Sequence, residues 1–304
     1  MITQRIGFCC IALPHDNYVG TKFKTTTLAW CNKNKSQAAQ KLTDIYHNNL
    51  GELVKVINYC IEKKIWIYRI SSDLFPLGDH DDFSSVYHLF CSNNSNWNSA
   101  KIAVERYYEM GGRCSTHPGQ FCSLGSEREN VRNNSIKNLI HHASFMDRLG
   151  LPENHTAHIN IHLSNGKDPI PLIPLFRQSL RKLPLNVLAR LTFENEHSGY
   201  WTVSNIRHYF PNVPVVFDSL HYTCNPDKLL SFDDAFKSAM SSWKNTVPVF
   251  HHSEGKTKIN DRAHSDYITN IPAIYSNYNV DTEVEAKAKN LAIFKYKNDK
   301  KELV

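Results

Sequence analysis

Eight residues able to hold metal ions sit at or just beyond the ends of short apolar runs. They are His117 in STHPGQF, His162 in NIHLSNG, Glu194 in LTFENEH, Asp218 and His221 in VVFDSLHY, His251 in VFHHSEG, His264 in DRAHSDY and Glu285 in DTEVEAKAK. Imidazole and carboxylate are the ligands that zinc, manganese and iron prefer. A lone histidine in such a place is usually a hydrogen-bonded structural residue. Successive strand ends that each offer a His, Asp or Glu need another explanation, because burying so many ionisable groups together without counter-charge is costly. Metal cations remove that cost. The set exceeds the needs of one ion, so two or three ions are expected. Divalent ions about 3.5–4 Å apart suit in-line attack on a phosphodiester, one activating water and another receiving the leaving oxygen. Glu194, Asp218 and Glu285 are then the bridging or anchoring carboxylates.

The elements that must position these residues follow from the hydrophobic pattern. Eight runs read as buried parallel strands: 5–10, 65–70, 112–116, 156–162, 187–194, 213–218, 246–251 and 280–285. Helical spacing lies between them. Ile136, Leu139, Ile140, Ala143 and Met146 share one stripe that ends at Gly150. Ser231 followed by Asp234 approximates a capping box, and residues 36–63 and 99–110 also read as helices. Strands alternating with helices, with no linker or low-complexity stretch, predict a single α/β domain over 1–304, a TIM-type (β/α)8 barrel. The rival is an open doubly wound sheet, which needs a Gly-rich phosphate turn that FCCIALPHDNYVG does not supply. In a barrel the strand ends converge on one mouth.

Alternation along strands puts His162 on the face of Asn160 and His158, and Glu194 on the face of Thr192 and Arg190. These positions predict a wet, charged upper barrel, with His158 a step deeper in a structural role. His252 should face away from the axis. Lys22, Lys24, Lys33 and Lys35 after the first strand, and Lys256, Lys258 and Arg262 after the seventh, stand where backbone phosphates could lie. Gln120 and Phe121, just past His117, offer an amide and a ring able to enter a base stack.

Composition sets bounds. The 304 residues carry a net charge of +6, 41% hydrophobic and 21% charged residues, as expected of a globular protein. The opening MITQRIGFCC lacks an apolar stretch long enough for a signal peptide, and no uncharged run could span a bilayer. Eight cysteines without a CxxC pair argue against a zinc ribbon or a disulfide framework. A cytoplasmic protein with reduced thiols, without membrane attachment or an obligatory protein partner, is expected.

The segments RIGFCC, RISSDLFP, HPGQF, HHASFMDRLG, NIHLSNG, FENEH, VVFDSLHY, HHSEG, AHSDYI and VEAKAK, in this order, resemble the UV damage endonucleases. The resemblance implies a TIM barrel with up to three divalent ions, often Mn2+, with Zn2+, Co2+ or Mg2+ as alternatives. Its implied substrate is damaged double-stranded DNA. Incision would fall immediately 5′ to pyrimidine dimers and 6-4 photoproducts, with some action at abasic sites. By resemblance the ligands are His80, His117, His162, Glu194, Asp218, His221, His251, His264 and Glu285, which adds His80 to the strand-end set. Gln120 and Phe121 match the pair that probes the helix opposite a flipped lesion. The chain departs from the family in three places. Phe121 stands where Tyr is frequent, Phe8 where a Tyr lies near the damaged bases, and Val249 where a carboxylated lysine can bridge ions. The alternatives are an abasic-site endonuclease of the endonuclease IV type, a metal-dependent sugar isomerase, and a non-catalytic damage-binding protein.

Overall fold

The computed structural model describes residues 5–163 and 169–301. Residues 164–166, which end the NIHLSNG segment, lie outside them. Eight strands form one parallel sheet: β1 (Ile6–Cys9), β2 (Ile67–Ile70), β3 (Arg113–Thr116), β4 (Ile159–Ile161), β5 (Leu191–Glu194), β6 (Val215–Val216), β7 (Val249–His252) and β8 (Asp281–Val284). Their order is β6-β5-β4-β3-β2-β1-β8-β7, with helices between successive strands. A parallel bridge between Asp218 and His251 joins the outer edges, and the His251 N–H donates to Phe217 O at 3.0 Å. The expected TIM-type barrel is thus closed by two of the residues singled out for chemistry.

Each strand is buried on both faces, as parallel strands under a helical layer must be. The outward face packs Phe8, Tyr68, Ile161 and Phe193 into the hydrophobic core. Inward positions alternate with these. Register pairs Cys9 with Arg69, His251 with Glu283 and Val249 with Asp281. Gly7 pairs with Glu283, and a Cβ there would lie 1.8 Å from Ile67 O, so only glycine lets β1 and β2 approach this closely.

The helices Lys35–Glu62, Asn98–Glu109 and Glu129–Arg148 occupy the segments with helical spacing. Gly150, at φ +76°, follows the last of these. Ser231 caps the helix Phe232–Ser241 by accepting from the Asp234 N–H at 3.2 Å. The strands are shorter than expected, most of all β4 and β5 at their starts and β6 at both ends. The Asn154 side chain accepts from the Thr156 N–H and starts a 3-10 turn over His155–Ala157. Residues Leu185–Leu188 form a helical turn after Pro184. That shift corrects the reading of Arg190, which lies before β5 and not on the wet upper face. Its guanidinium reaches Asp147 at 2.5 Å, Leu151 O at 2.7 Å and Pro152 O at 2.9 Å, tying the start of β5 to the helical layer. Among the described residues no helix is long and apolar enough to cross a membrane.

Candidate metal centre

The strand ends converge as the barrel requires. Glu194, at the end of β5 and 1% exposed, is the hub. One of its oxygens lies 3.1 Å from His117 Nε2 and 3.3 Å from His251 Nδ1, and accepts from Asn160 Nδ2 at 2.5 Å. Its other oxygen is 3.1 Å from His221 Nδ1. Asn160 is held in turn by the Thr192 hydroxyl at 3.1 Å, so inward residues of β4 and β5 aim the carboxylate. Among the described residues three groups bring candidate ligand atoms within 4.8 Å of one another: His117, His162 and Glu194; Glu194, Asp218 and His251; and His251, Glu283 and Glu285.

The histidines are oriented from behind. The Nδ1–H of His117 faces Pro118 O at 3.1 Å, that of His221 faces Asn195 O at 2.8 Å, and that of His264 faces Glu285 O at 2.8 Å. His162 Nδ1 faces Glu196 at 3.3 Å. Each arrangement commits one ring nitrogen to a carbonyl or carboxylate and leaves the other available as a ligand. Asp218 uses Oδ1 to cap the helix Ser219–Cys224, accepting from the His221 N–H at 2.7 Å. Its Oδ2 is buried with no hydrogen-bond partner, as is His251 Nδ1. Buried polar atoms are rarely left in that state, and here they cluster where ligands converge. The donor set therefore fits divalent cations.

Electrostatics agree with that reading. Burial alone would push the His251 imidazolium down, but Glu194 and Glu285 outweigh it and hold its pKa up at about 10. His221 is raised against burial by Asp218 and Glu194, and His162 by Glu194 and Glu196. His117 is lowered by burial, which Glu194 only partly offsets. Glu194 and Glu285 are held far below the usual carboxylate range despite burial, Glu194 by His251 and His162, Glu285 by Arg69 and His251. Protons on the histidines thus balance the carboxylates where cations would otherwise do so.

Above the cluster opens a cavity of about 400 Å³, lined by Gln120, Phe121, His162, Glu196, His197, His221, Arg262, His264 and Glu285. Phe121 is 85% exposed at this rim. Arg262 shares the cavity, whereas Lys256 and Lys258 line a neighbouring one with His252. Lys22 and Lys24 are exposed on the segment after β1, their backbone N–H groups held by Glu52 and Asn49.

Two expectations, His80 and Phe8, meet a different placement. His80 is apart from the three ligand groups: its Nδ1 accepts from the Asp82 N–H at 3.2 Å, and its ring lies beside Phe83. Phe8 is completely buried, edge-on to Tyr68 at 5.5 Å on the helix-facing side of β1. That corrects its reading as a DNA contact, because inward positions on β1 fall to Gly7 and Cys9. Val249 is buried opposite Asp281 and offers no ligand atom. His252 faces away from the axis, bonded to the Ser219 hydroxyl and to Asn270 O, each at 2.7 Å. His158 is fully buried, edge-on to Trp243 at 5.4 Å.

Four site residues escaped the sequence reading. Glu283 and Arg69 face the cluster from inside β8 and β2, and Glu196 and His197 lie just past β5. Acidic residues at 281, 283 and 285 form a period-two pattern that would have exposed Glu283.

A family model described as UV-endonuclease UvdE matches residues 4–303. A UV DNA damage endonuclease of Nostoc sp. is 34% identical over 297 residues, covering 95% of this chain and 88% of the relative. One from Bacillus cereus (strain Q1) is 28% identical over 286 residues, covering 90% of this chain and 87% of the relative. The crystal structure of SacUVDE superposes with a TM-score of 0.81 at 25% identity, covering 99% of both chains.

Proposed function

The chain belongs to the UV-endonuclease UvdE family, and from that premise we propose that it is a metal-dependent DNA repair endonuclease. It hydrolyses the phosphodiester immediately 5′ to pyrimidine dimers and 6-4 photoproducts in double-stranded DNA, leaving a 3′-hydroxyl and a 5′-phosphate, and also acts at abasic sites. The observation that carries this reading is the shared cavity: Gln120 and the exposed Phe121 line the same mouth as His162, His221, His264 and Glu285. A wedge for a base stack and a donor set for cations lie within reach of one substrate.

When bound, two or three divalent ions, Mn2+ by preference, supply Lewis acidity toward the scissile phosphate. The protein's residues do the rest. Glu194, Asp218 and Glu285 provide anionic anchors, and His117, His162, His221, His251 and His264 provide ring nitrogens, while His80, the further ligand that the resemblance implies, stands outside this set. Arg262 at the rim neutralises a phosphate, and Lys22, Lys24, Lys256 and Lys258 track the flanking backbone. Gln120 and Phe121 enter the stack at the lesion, where extrusion costs least because pairing is already weakened.

The test uses end-labelled duplexes, one with a single photoproduct and one with a single abasic site. Incision of the photoproduct duplex immediately 5′ to the lesion, with a ligatable 3′-hydroxyl, is expected. Cutting at the abasic site alone would replace this reading with an abasic-site endonuclease.

A further inference from the structure

Four of the five clustered histidines turn Nδ1 toward an anchoring carbonyl or carboxylate. His251 is reversed. Its Nδ1 faces the centre, 3.3 Å from Glu194 and 3.4 Å from Glu285, and its Nε2 points down the barrel toward Glu283 at 3.6 Å. One neutral imidazole has one lone pair and one N–H, so it cannot offer a ligand atom on both sides. Glu283 is fully buried and lies beside His251 in strand register. The Ser115 hydroxyl donates to its Oε2 at 2.9 Å, while Arg69 Nε lies 3.0 Å from Oε1.

We infer that Glu283 is a positioning residue for the metal centre: it takes the Nε2–H of His251 and so fixes the tautomer whose Nδ1 lone pair faces Glu194 and Glu285. This rests on the metal-dependent reading above. The deeper trio of His251, Glu283 and Glu285 is not itself a cation position. The Arg69 guanidinium already spans its two carboxylates, with Nη1 2.5 Å from Glu285 and Nε 3.0 Å from Glu283. A divalent ion there would meet a fixed positive charge at close range. Arg69 instead lies against Glu283 as its counter-charge, so this carboxylate has a cationic partner that is not a metal.

Two measurements test the inference. Protein with 15N-labelled histidine rings, demetallated and reloaded with diamagnetic Zn2+, reports the tautomer of His251 by NMR. The Nε2–H form with Nδ1 coordinated is expected, and the Nδ1–H form overturns the assignment. Equilibrium dialysis against Mn2+ then compares wild type with Glu283→Ala and Glu283→Gln. Loss of the acceptor in Glu283→Ala should weaken affinity about 10–100-fold with the number of ions at saturation unchanged. Gln, which keeps a carbonyl acceptor, should recover part of that loss. Unchanged affinity in Glu283→Ala would mean that Glu283 serves only Arg69. One ion fewer at saturation would mean that it is itself a ligand. Either result overturns the inference while leaving a wild type that binds metal, whereas a wild type that binds no ion removes the proposed function as well. If Glu283→Ala does not fold, the wild-type tautomer still decides.

Discussion

Asp281 and Glu283 stand two residues apart on β8, both buried inside the barrel, yet their surroundings differ in kind. Asp281 sits in a finished network. Arg5 meets its two oxygens at 2.6 and 2.5 Å, and Arg113 donates to Oδ2 at 2.7 Å. The remaining Arg113 contacts end on Val247, Thr156 and His155 carbonyls. Nearer the mouth, Asp218 and His251 keep buried polar atoms without hydrogen-bond partners. Both regions bury charge, but the lower one closes its hydrogen bonds and the upper one leaves donors aimed at a common space. Closure marks a strut that holds strands together. Open, convergent donors mark a place for a ligand.

That contrast breaks first at Asp281. Asp281→Asn leaves the buried Arg113 and the half-buried Arg5 short of an anion, and breaking the buried Arg113 pair costs roughly 3–5 kcal/mol. Denaturant unfolding should register that loss while the number of Mn2+ ions bound by the folded protein stays the same. A variant of unchanged stability that sheds metal would erase the distinction between the two regions. Glu194→Gln should behave in the opposite way, with Mn2+ affinity falling at least ~10–100-fold and the folded structure retained. Metal analysis after gel filtration checks it, and full metal retention with full incision would remove Glu194 from the centre. Replacing Gln120 and Phe121 together by Ala touches neither region. Lesion-duplex binding should weaken by roughly 1–3 kcal/mol per lost stacking contact, with metal content and stability unchanged. Fluorescence anisotropy on damaged and undamaged duplexes measures it, and parental affinity for the damaged duplex would refute the wedge.

Much of this site was legible from residue order. Strand ends carrying His117, Glu194, Asp218, His221 and His251 stood out because each apolar run stops at a polar turn. The phase of a strand was harder to read. β1 is apolar on both faces, so nothing in RIGFCC says that Phe8 turns toward the helices and Cys9 toward Arg69. Arg190 was misplaced because alternation was carried back past the true start of β5. Glu283 and Arg69 went unread because attention to strand ends overlooks inward side chains one step below. His80 lies on a loop, and loop positions have no period to follow.

In the proposed metal centre, cations take the place of the protons that balance the upper carboxylates. His251, held up at about 10, and His221, also raised, keep their protons at neutral pH in the metal-free centre. A cation must displace those protons, so its apparent affinity rises with pH. The direct measurement is incision of a 5′-labelled photoproduct duplex by demetallated protein, titrated with Mn2+ at pH 6.5 and at pH 8.5. No cutting in chelator, recovery on adding Mn2+, and a lower half-saturating concentration at the higher pH are the expected results. Cutting that persists in chelator, or recovery that needs more Mn2+ at pH 8.5 than at pH 6.5, would contradict the claim.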